Sequence, residues 1–465
     1  MLKKYIGDRK FYRMVLTIAI PIMIQNGITN FVNMLDNIMV GRLGTEAMSG
    51  VSIVNQFTFI FNLLVFGGVS AAGIFTAQYY GNGDNEGIRH TFRFKFLISL
   101  GAGTLGILLF ALFGREFISL FLHTSEAQGN LESTMQHGLD YLRIMLLGLL
   151  PYSLAQHYAS TMRETGETVI PMIGSILAVV TNLLLNLILI FGYLGAPALG
   201  VRGAAIATVV SRLVEFVFLL IWAHTHTGKF PYLIGAYRSL RIPRALAARI
   251  TVKGLPLMAN EFFWSLAVTM RNQCYSLRGL DVVAALNITT TLQNVLSVVY
   301  IALGNALAII VGRQLGAGEL EEARDSARKL QVFIVFAAAV FGALFAGAAF
   351  LFPLIYNTTA AVRSLSTYMM LISALVLPIS AYGFAAYYTL RSGGRVMITF
   401  LMDSVFMWVV AMPVCAGLAY FTGMNIRLLF FLSQITEIIK CVLAYFLLRR
   451  GTWVRRLVGN EERLA

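Results

Sequence analysis

The first long apolar stretch of the chain reads MVLTIAIPIMIQNGITNFVNMLDNIMV (residues 14–40), and its one charged side chain is Asp36. A run of about 20 apolar residues is long enough to cross a bilayer as a helix. Eleven further stretches of this kind follow, so the sequence predicts an all-α integral membrane protein with twelve transmembrane helices. The predicted spans are 14–40, 46–78, 95–121, 138–161, 168–192, 198–224, 250–276, 282–314, 330–356, 364–389, 396–420 and 426–448.

The composition supports this class. Hydrophobic residues make up 58% of the 465 positions and charged residues only 12%, whereas a soluble domain carries about a quarter charged residues. The three cysteines, Cys274, Cys415 and Cys441, all fall in apolar stretches. They are therefore expected to pack as small hydrophobic side chains rather than to form disulfides or a metal site.

The basic residues are distributed unevenly along the chain. The formal net charge is +14, and most of the 36 lysines and arginines lie near the two chain ends or in the connections after the even-numbered helices. Because short cytoplasmic segments of membrane proteins are enriched in these residues, both termini are expected in the cytoplasm. Topology thus accounts for the positive charge, and nucleic acid is not expected as a partner.

The second half of the chain repeats the first. Pro21-Ile22-Met23 corresponds to Pro256-Leu257-Met258, and the same offset pairs Gly44 with Gly279. A register kept through two helices and the turn between them indicates an internal duplication, which is how many transporter folds are built.

Six helices per copy is an even number, so the two copies should enter the membrane in the same orientation. The sequence predicts two six-helix parallel repeats (6 + 6), related by a pseudo-twofold axis along the membrane normal. The expected division is an N-terminal lobe at 1–227, a basic cytoplasmic linker at 228–253 and a C-terminal lobe at 254–465. A cleft between the lobes is the expected solute path, and rocking of the lobes is the expected transport cycle.

Three strings carry a family resemblance. LDNIMVGRLG (35–44), RETG (163–166) and LGVRGAAIAT (199–208) are similar to strings of the multidrug and toxic compound extrusion (MATE) family, and the likeness extends over nearly the whole chain. The loop at 81–93 lacks the acidic-basic signature of the major facilitator family, the other 6 + 6 architecture considered. The resemblance implies a secondary antiporter that exports organic, often cationic, small molecules in exchange for H⁺ or Na⁺.

The resemblance also implies an ion-coupling site in the first half, at Asp36, Asn182, Asn186 and Thr208. The residue types agree with that role. An intramembrane carboxylate is costly and is by default a functional candidate, and the two asparagines lie on one face of a helix because they are four residues apart. Carboxylate, amide and hydroxyl oxygens suit Na⁺, while the carboxylate alone can carry a proton. The ion stays open, as does a purely structural role for the asparagines in joining helices.

The second half departs from the first at the matched position, where Asp36 becomes Arg271. Two other acids, Glu261 and Asp403, are predicted to lie within the membrane, at depths that Arg271 can reach. We therefore expect Arg271 to pair with Asp403 or Glu261 and to contribute to substrate contacts or gating; a purely architectural buried pair is the alternative. Some MATE members carry an acid eight residues after the proline of helix seven. Here that position is Trp264. Together with Glu261, Arg271 and Asp403, it is a candidate for the substrate cavity or its gate.

Other functions have less support in the sequence. A flippase for a lipid-linked or anionic substrate is the first alternative, suggested by Arg271, and an ion channel or a membrane scaffold is the second. No nucleotide-binding, metalloprotease or nucleophile motif is present, so neither an enzyme nor a cofactor is expected. The expected setting is a monomer in a bacterial plasma membrane, and the expected partners are lipid, a small-molecule substrate and H⁺ or Na⁺.

Overall fold

A computed structural model describes residues 5–122, 131–356 and 358–459; residues 1–4 and 460–465, at the outer limits of the two expected lobes, lie outside this range. The described chain is built from twelve long helices, as the sequence predicts. They are α1 Arg9–Gly41, α2 Thr45–Gly81, α3 Asn85–Leu122, α4 Leu131–Glu164, α5 Val169–Phe191, α6 Val201–Thr225, α7 Arg244–Ser276, α8 Leu280–Ala317, α9 Leu320–Ala348, α10 Ala360–Ser392, α11 Val396–Phe421 and α12 Ile426–Arg449.

Ten of these helices, counted over the described residues, are both long and apolar enough to cross a membrane. The other two, α4 and α7, have 34 and 33 residues. At 1.5 Å per residue they are also long enough to span, although they are less apolar on average than the other ten. The fold class is therefore confirmed as an all-α, multi-pass membrane protein.

The internal repeat is visible in the backbone of the turns. Gly44 and Gly279, which precede α2 and α8, have φ angles of 116° and 112°. Gly83 and Gly318, which follow the same helices, have φ angles of 71° and 85°. Positive φ is strained for residues with a Cβ, so both copies need glycine at both turns.

The end of α2 crosses α8 in a reciprocal contact. A Cβ atom on Gly81 would lie 1.9 Å from the carbonyl oxygen of Arg313, and one on Gly316 would lie 1.9 Å from that of Gln78. Gly81 and Gly316 are matched positions of the repeat, as are Gln78 and Arg313. The two close approaches therefore lie at equivalent positions of the internal repeat.

The chain divides into two compact units. The first contains Ile24–Thr76 and Asp84–Gly254, and in it α6 packs against α4 and α5 while α3 packs against α4. Its apolar core joins α1 and α2 to α3, α4, α5 and α6. Buried members of this core are Val40, Val51, Val54, Ile118, Leu142, Met145, Ile190 and Ala205.

The second unit contains the chain from Leu255 onward, together with Ala77–Gly83 and the part of α1 up to Met23. Here α10 is the central helix, and it packs against α8, α9 and α12. Its core joins α7, α8, α10, α11 and α12. Buried members of this core are Ala267, Tyr275, Val282, Ile288, Met369, Phe406, Cys415 and Leu429.

The segment between α6 and α7 is docked onto the first unit. Its residues Phe230, Tyr232 and Leu233 are buried. The guanidinium of Arg93 donates to three of its backbone carbonyls, including that of Ala236 at 2.7 Å. The expected linker is thus an ordered strap, and α7 begins within it, at Arg244.

Candidate functional site

The predicted coupling residues of the first half come together in the structure. Asn186 Nδ2 donates to Asp36 Oδ1 at 2.6 Å and to Asn182 Oδ1 at 3.0 Å. Asn182 Nδ2 in turn donates to Thr208 Oγ1 at 3.3 Å. Three helices, α1, α5 and α6, therefore meet at one polar cluster, which we call the Asp36 cluster (Asp36, Asn182, Asn186 and Thr208).

The Asn182 amide can serve Asp36 in two orientations. The terminal side-chain atom of Asn182 that faces Asp36 lies 2.9 Å from Asp36 Oδ1. If that atom is nitrogen, it donates to an ionised carboxylate; if it is oxygen, it accepts from a protonated one. Rotation of this amide exchanges the hydrogen bonds of Asn182 to Asn186 and Thr208 for a hydrogen bond to an ionised Asp36.

One acceptor in the Asp36 cluster has no hydrogen-bond partner among the residues that the structure describes. Asn186 is 1% exposed, and its Oδ1 atom accepts no hydrogen bond. Leaving a buried acceptor unsatisfied costs about 1–3 kcal/mol. Together with the carboxylate of Asp36 and the hydroxyl of Thr208, this oxygen offers the donor set that a hard cation such as Na⁺ requires.

Close packing of α5 on α6 makes this geometry possible. Asn182 and Asn186 lie on one face of α5 because they are a helical turn apart. On the facing helix, a Cβ atom at Gly203 would lie 2.4 Å from the Leu189 carbonyl oxygen. Glycine at 203 therefore allows the two backbones to approach closely enough for short side chains such as Thr208 to reach across.

A second buried polar chain lies in the same unit. Gln25 Nε2 donates to Ser175 Oγ at 2.7 Å, and Ser175 Oγ donates to Glu215 Oε1 at 2.7 Å. Arg163 Nη1 donates to Gln25 Oε1 at 3.4 Å. These hydrogen bonds connect α1, α4, α5 and α6, the helices that also surround or carry the Asp36 cluster.

The acids of the second half lie in a different setting. Asp403 forms an ion pair with Lys440 of α12, and both side chains are largely buried, with exposures of 15% and 10%. Asp403 Oδ2 also accepts from Asn260 Nδ2 at 3.2 Å, and Ser404 Oγ donates to Asn260 Oδ1 at 2.8 Å. We call these four residues the Asp403 cluster; it joins α7, α11 and α12.

Among the described residues the cation paired with Asp403 is Lys440 and not Arg271, which the sequence suggests as a partner of Asp403 or Glu261. Helical rise places Arg271 at a suitable depth but does not say which way its side chain points around α7. Glu261 follows Asn260 directly and is partly buried. Trp264 is partly buried and packs against the apolar core of the second unit.

The backbone around Asp403 is unusual. Within α11, Leu401–Val405 and Met407–Ala411 are π-helical. Such segments are rare and occur frequently at functional sites. The wider turn sets the direction in which Asp403 leaves the helix axis.

Sequence reasoning missed Lys440 and Asn260 as partners of Asp403. Lys440 is a basic residue inside an apolar stretch, and this was the available signal, because such a residue needs an acidic partner. What the sequence lacked was the arrangement of α7, α11 and α12 around one another.

Comparisons with known proteins agree with the fold and the repeat. The MatE family model matches residues 21–188 and again residues 256–416, so each half matches it separately, beginning at Pro21 and Pro256. A probable multidrug resistance protein NorM from Thermotoga maritima is 23% identical, covering 97% of this chain and 95% of that protein. The multidrug resistance protein MdtK from Yersinia pseudotuberculosis is 25% identical over 80% of this chain and 79% of its own length.

Solved structures show the same architecture. The crystal structure of a MATE protein in complex with MaL6 superposes with a TM-score of 0.84, at 17% identity, and the match covers 97% of this chain and 98% of that one.

Proposed function

Because this chain belongs to the multidrug and toxic compound extrusion family of membrane transporters, we propose that it is a secondary active antiporter. It exports organic, often cationic, small molecules in exchange for H⁺ or Na⁺ by alternating access. It works as a monomer in a bacterial plasma membrane, with both termini in the cytoplasm. The two halves, 1–227 and 254–465, are the bodies that move, and 228–253 joins them.

The substrate class is supported by the relatives, since two curated proteins that match most of the chain are named multidrug resistance proteins. It is also supported by the acids of the second half. Asp403 and Glu261 place two carboxyl groups within the spanning helices, and a carboxylate is complementary to an organic cation. We assign substrate contact and gating to Glu261, Asp403, Arg271 and Trp264.

The single observation that carries the coupling assignment is the Asp36 cluster. Its carboxylate accepts from the neutral amide of Asn186 and lies beside that of Asn182, and within the described residues the buried Asn186 Oδ1 has no hydrogen-bond partner. A proton on Asp36 would let the carboxyl group donate to Asn182, and a Na⁺ ion between Asp36, Asn186 and Thr208 would be coordinated by their oxygens. Binding of either ion neutralises a charge inside the membrane, which lowers the cost of moving the helices that carry it.

The test is flux of a fluorescent organic cation in proteoliposomes, with wild type compared to Asp36→Asn. One arm imposes a pH gradient without Na⁺, and the other imposes a Na⁺ gradient at equal pH on both sides. The variant is expected to lose gradient-driven uptake while still exchanging substrate across the membrane at equilibrium. Asp281→Asn, which removes an exposed carboxylate in the first turn of α8, is the matched control and should behave as wild type.

Unchanged gradient dependence in Asp36→Asn would refute the coupling assignment. Transport of a lipid-linked or anionic compound in place of cations would support the flippase alternative. Continuous ion current without substrate exchange would instead indicate a channel. The absence of flux of any kind in both proteins, with the fold intact by circular dichroism, would favour a scaffold.

A further inference from the structure

A cavity of about 750 Å³ lies in the second unit, and none of its lining residues belongs to the Asp36 or the Asp403 cluster. It is formed where α9 begins and α12 ends, and part of α10 lines it as well. Since α10 packs against both α9 and α12, it forms the floor, and the other two helices form the walls. We call this cavity the α9–α12 pocket.

Four arginines line the polar end of the α9–α12 pocket: Arg324, Arg328, Arg449 and Arg450. Arg324 is paired with Glu321 at 2.9 Å. The other three have no acidic partner within the part of the chain that the structure describes. Three uncompensated guanidinium groups around one cavity are complementary to a multiply charged anion.

The opposite end of the pocket is apolar and aromatic. Val332 and Val335 of α9, Tyr382 of α10 and Tyr445 of α12 line it. Val332 and Tyr445 are 41% and 50% exposed. One turn further from the arginines, Phe336 on α9 is 63% exposed, so the apolar surface continues along the helix.

We propose that the α9–α12 pocket binds an anionic phospholipid of the adjacent leaflet, with its phosphate at the arginines and its acyl chains along α9 and α12. Basic pockets between transmembrane helices recognise anionic headgroups, and tyrosines favour the level of the membrane interface. A small phosphorylated solute would use only the arginines, whereas a phospholipid also covers the exposed apolar residues that continue from the pocket along α9. In the proposed topology, this leaflet is the cytoplasmic one.

The proposal does not depend on the transport activity and is tested by binding. The purified full chain in mild detergent is titrated with phosphatidylglycerol, with phosphatidylcholine of the same acyl chains and with glycerol phosphate, and bound lipid is counted by native mass spectrometry. Phosphatidylglycerol should bind at least tenfold more tightly than either of the others. Arg449→Gln/Arg450→Gln should weaken that binding on the order of thirtyfold.

The matched control is Arg238→Gln/Arg244→Gln, which removes two exposed arginines from the strap and start of α7 and should leave lipid binding unchanged. Val332→Asn keeps every charge and should weaken only the long-chain lipid.

Equal loss in the control pair would mean that lipid responds to overall charge, and would overturn the site. Glycerol phosphate binding as tightly as the lipid, with no effect of Val332→Asn, would show a site for a small phosphorylated solute and would overturn the lipid assignment.

Discussion

Removing Lys440 should destabilise the protein more than removing any surface lysine. Lys440 and Asp403 are 10% and 15% exposed, so Lys440→Gln leaves a largely buried carboxylate without its cation. Breaking a buried ion pair from one side costs about 3–5 kcal/mol. Because Asn260 still donates to Asp403, we expect a loss near the lower limit, about 3 kcal/mol.

The companion variant Asp403→Asn/Lys440→Gln removes both charges. The amide oxygen introduced by Asp403→Asn can still accept from Asn260, so the double variant should recover to within about 1 kcal/mol of wild type. The pair should therefore show a coupling free energy of about 2 kcal/mol or more in a double-mutant cycle. The measurement is the free energy of unfolding from titration with sodium dodecyl sulfate in mixed micelles.

Lys329→Gln is the control for this cycle. Lys329 pairs with Asp325 one turn away on α9, and the two side chains are 21% and 42% exposed. Such a pair contributes at most about 1 kcal/mol. The reasoning fails if Lys440→Gln costs no more than Lys329→Gln, or if the double variant loses the sum of its two single losses.

Two further sets of substitutions test which ion the Asp36 cluster binds and whether the matched glycines of α2 and α8 make equivalent contacts. Thr208→Val removes the hydroxyl that accepts from Asn182. If Na⁺ is the coupling ion, the Na⁺ concentration needed for half-maximal flux should rise about tenfold; if H⁺ is the coupling ion, pH-driven flux should be kept. Loss of pH-driven flux would limit the hydroxyl to a structural role. Gly81→Ala and Gly316→Ala each place a methyl group 1.9 Å from a carbonyl oxygen, so both should lower the free energy of unfolding by similar amounts, about 1–3 kcal/mol. Gly101→Ala, where nothing lies within 4 Å, should be neutral in the same thermal or detergent titration, and a large effect at only one of the paired glycines would contradict the reciprocal contact.

The fold could be predicted from the sequence because its signals are local or periodic. Span length follows from runs of apolar residues, and the duplication follows from glycines that both copies need, such as Gly44 and Gly279 with φ angles of 116° and 112°. The Asp36 cluster could also be predicted from the sequence. The i, i+4 spacing of Asn182 and Asn186 fixes their common face, and the family resemblance supplied the helix that faces them.

The Asp403 cluster could not be predicted in the same way. Depth along a helix follows from residue counting, and it made Arg271 a plausible partner for Asp403. The direction of a side chain around the helix axis depends on which helices are neighbours, and within α11 it also depends on the π-helical turn at Leu401–Val405. Neither property has a periodic signature in one sequence.

The two acidic clusters differ in what balances their charge, and this difference argues for different work in the two halves. Asp36 accepts from the neutral amide of Asn186 and has no ion-pair partner within the part of the chain that the structure describes, so a positive charge delivered from solution can bind to it and leave it again. Asp403 already forms an ion pair with the ammonium group of Lys440. A small inorganic cation would have to displace this ammonium group in order to bind. An organic cation with several contacts is better able to do so than Na⁺, because it gains apolar burial as well as charge pairing. On electrostatic grounds, we therefore propose ion coupling for the first half and substrate recognition for the second.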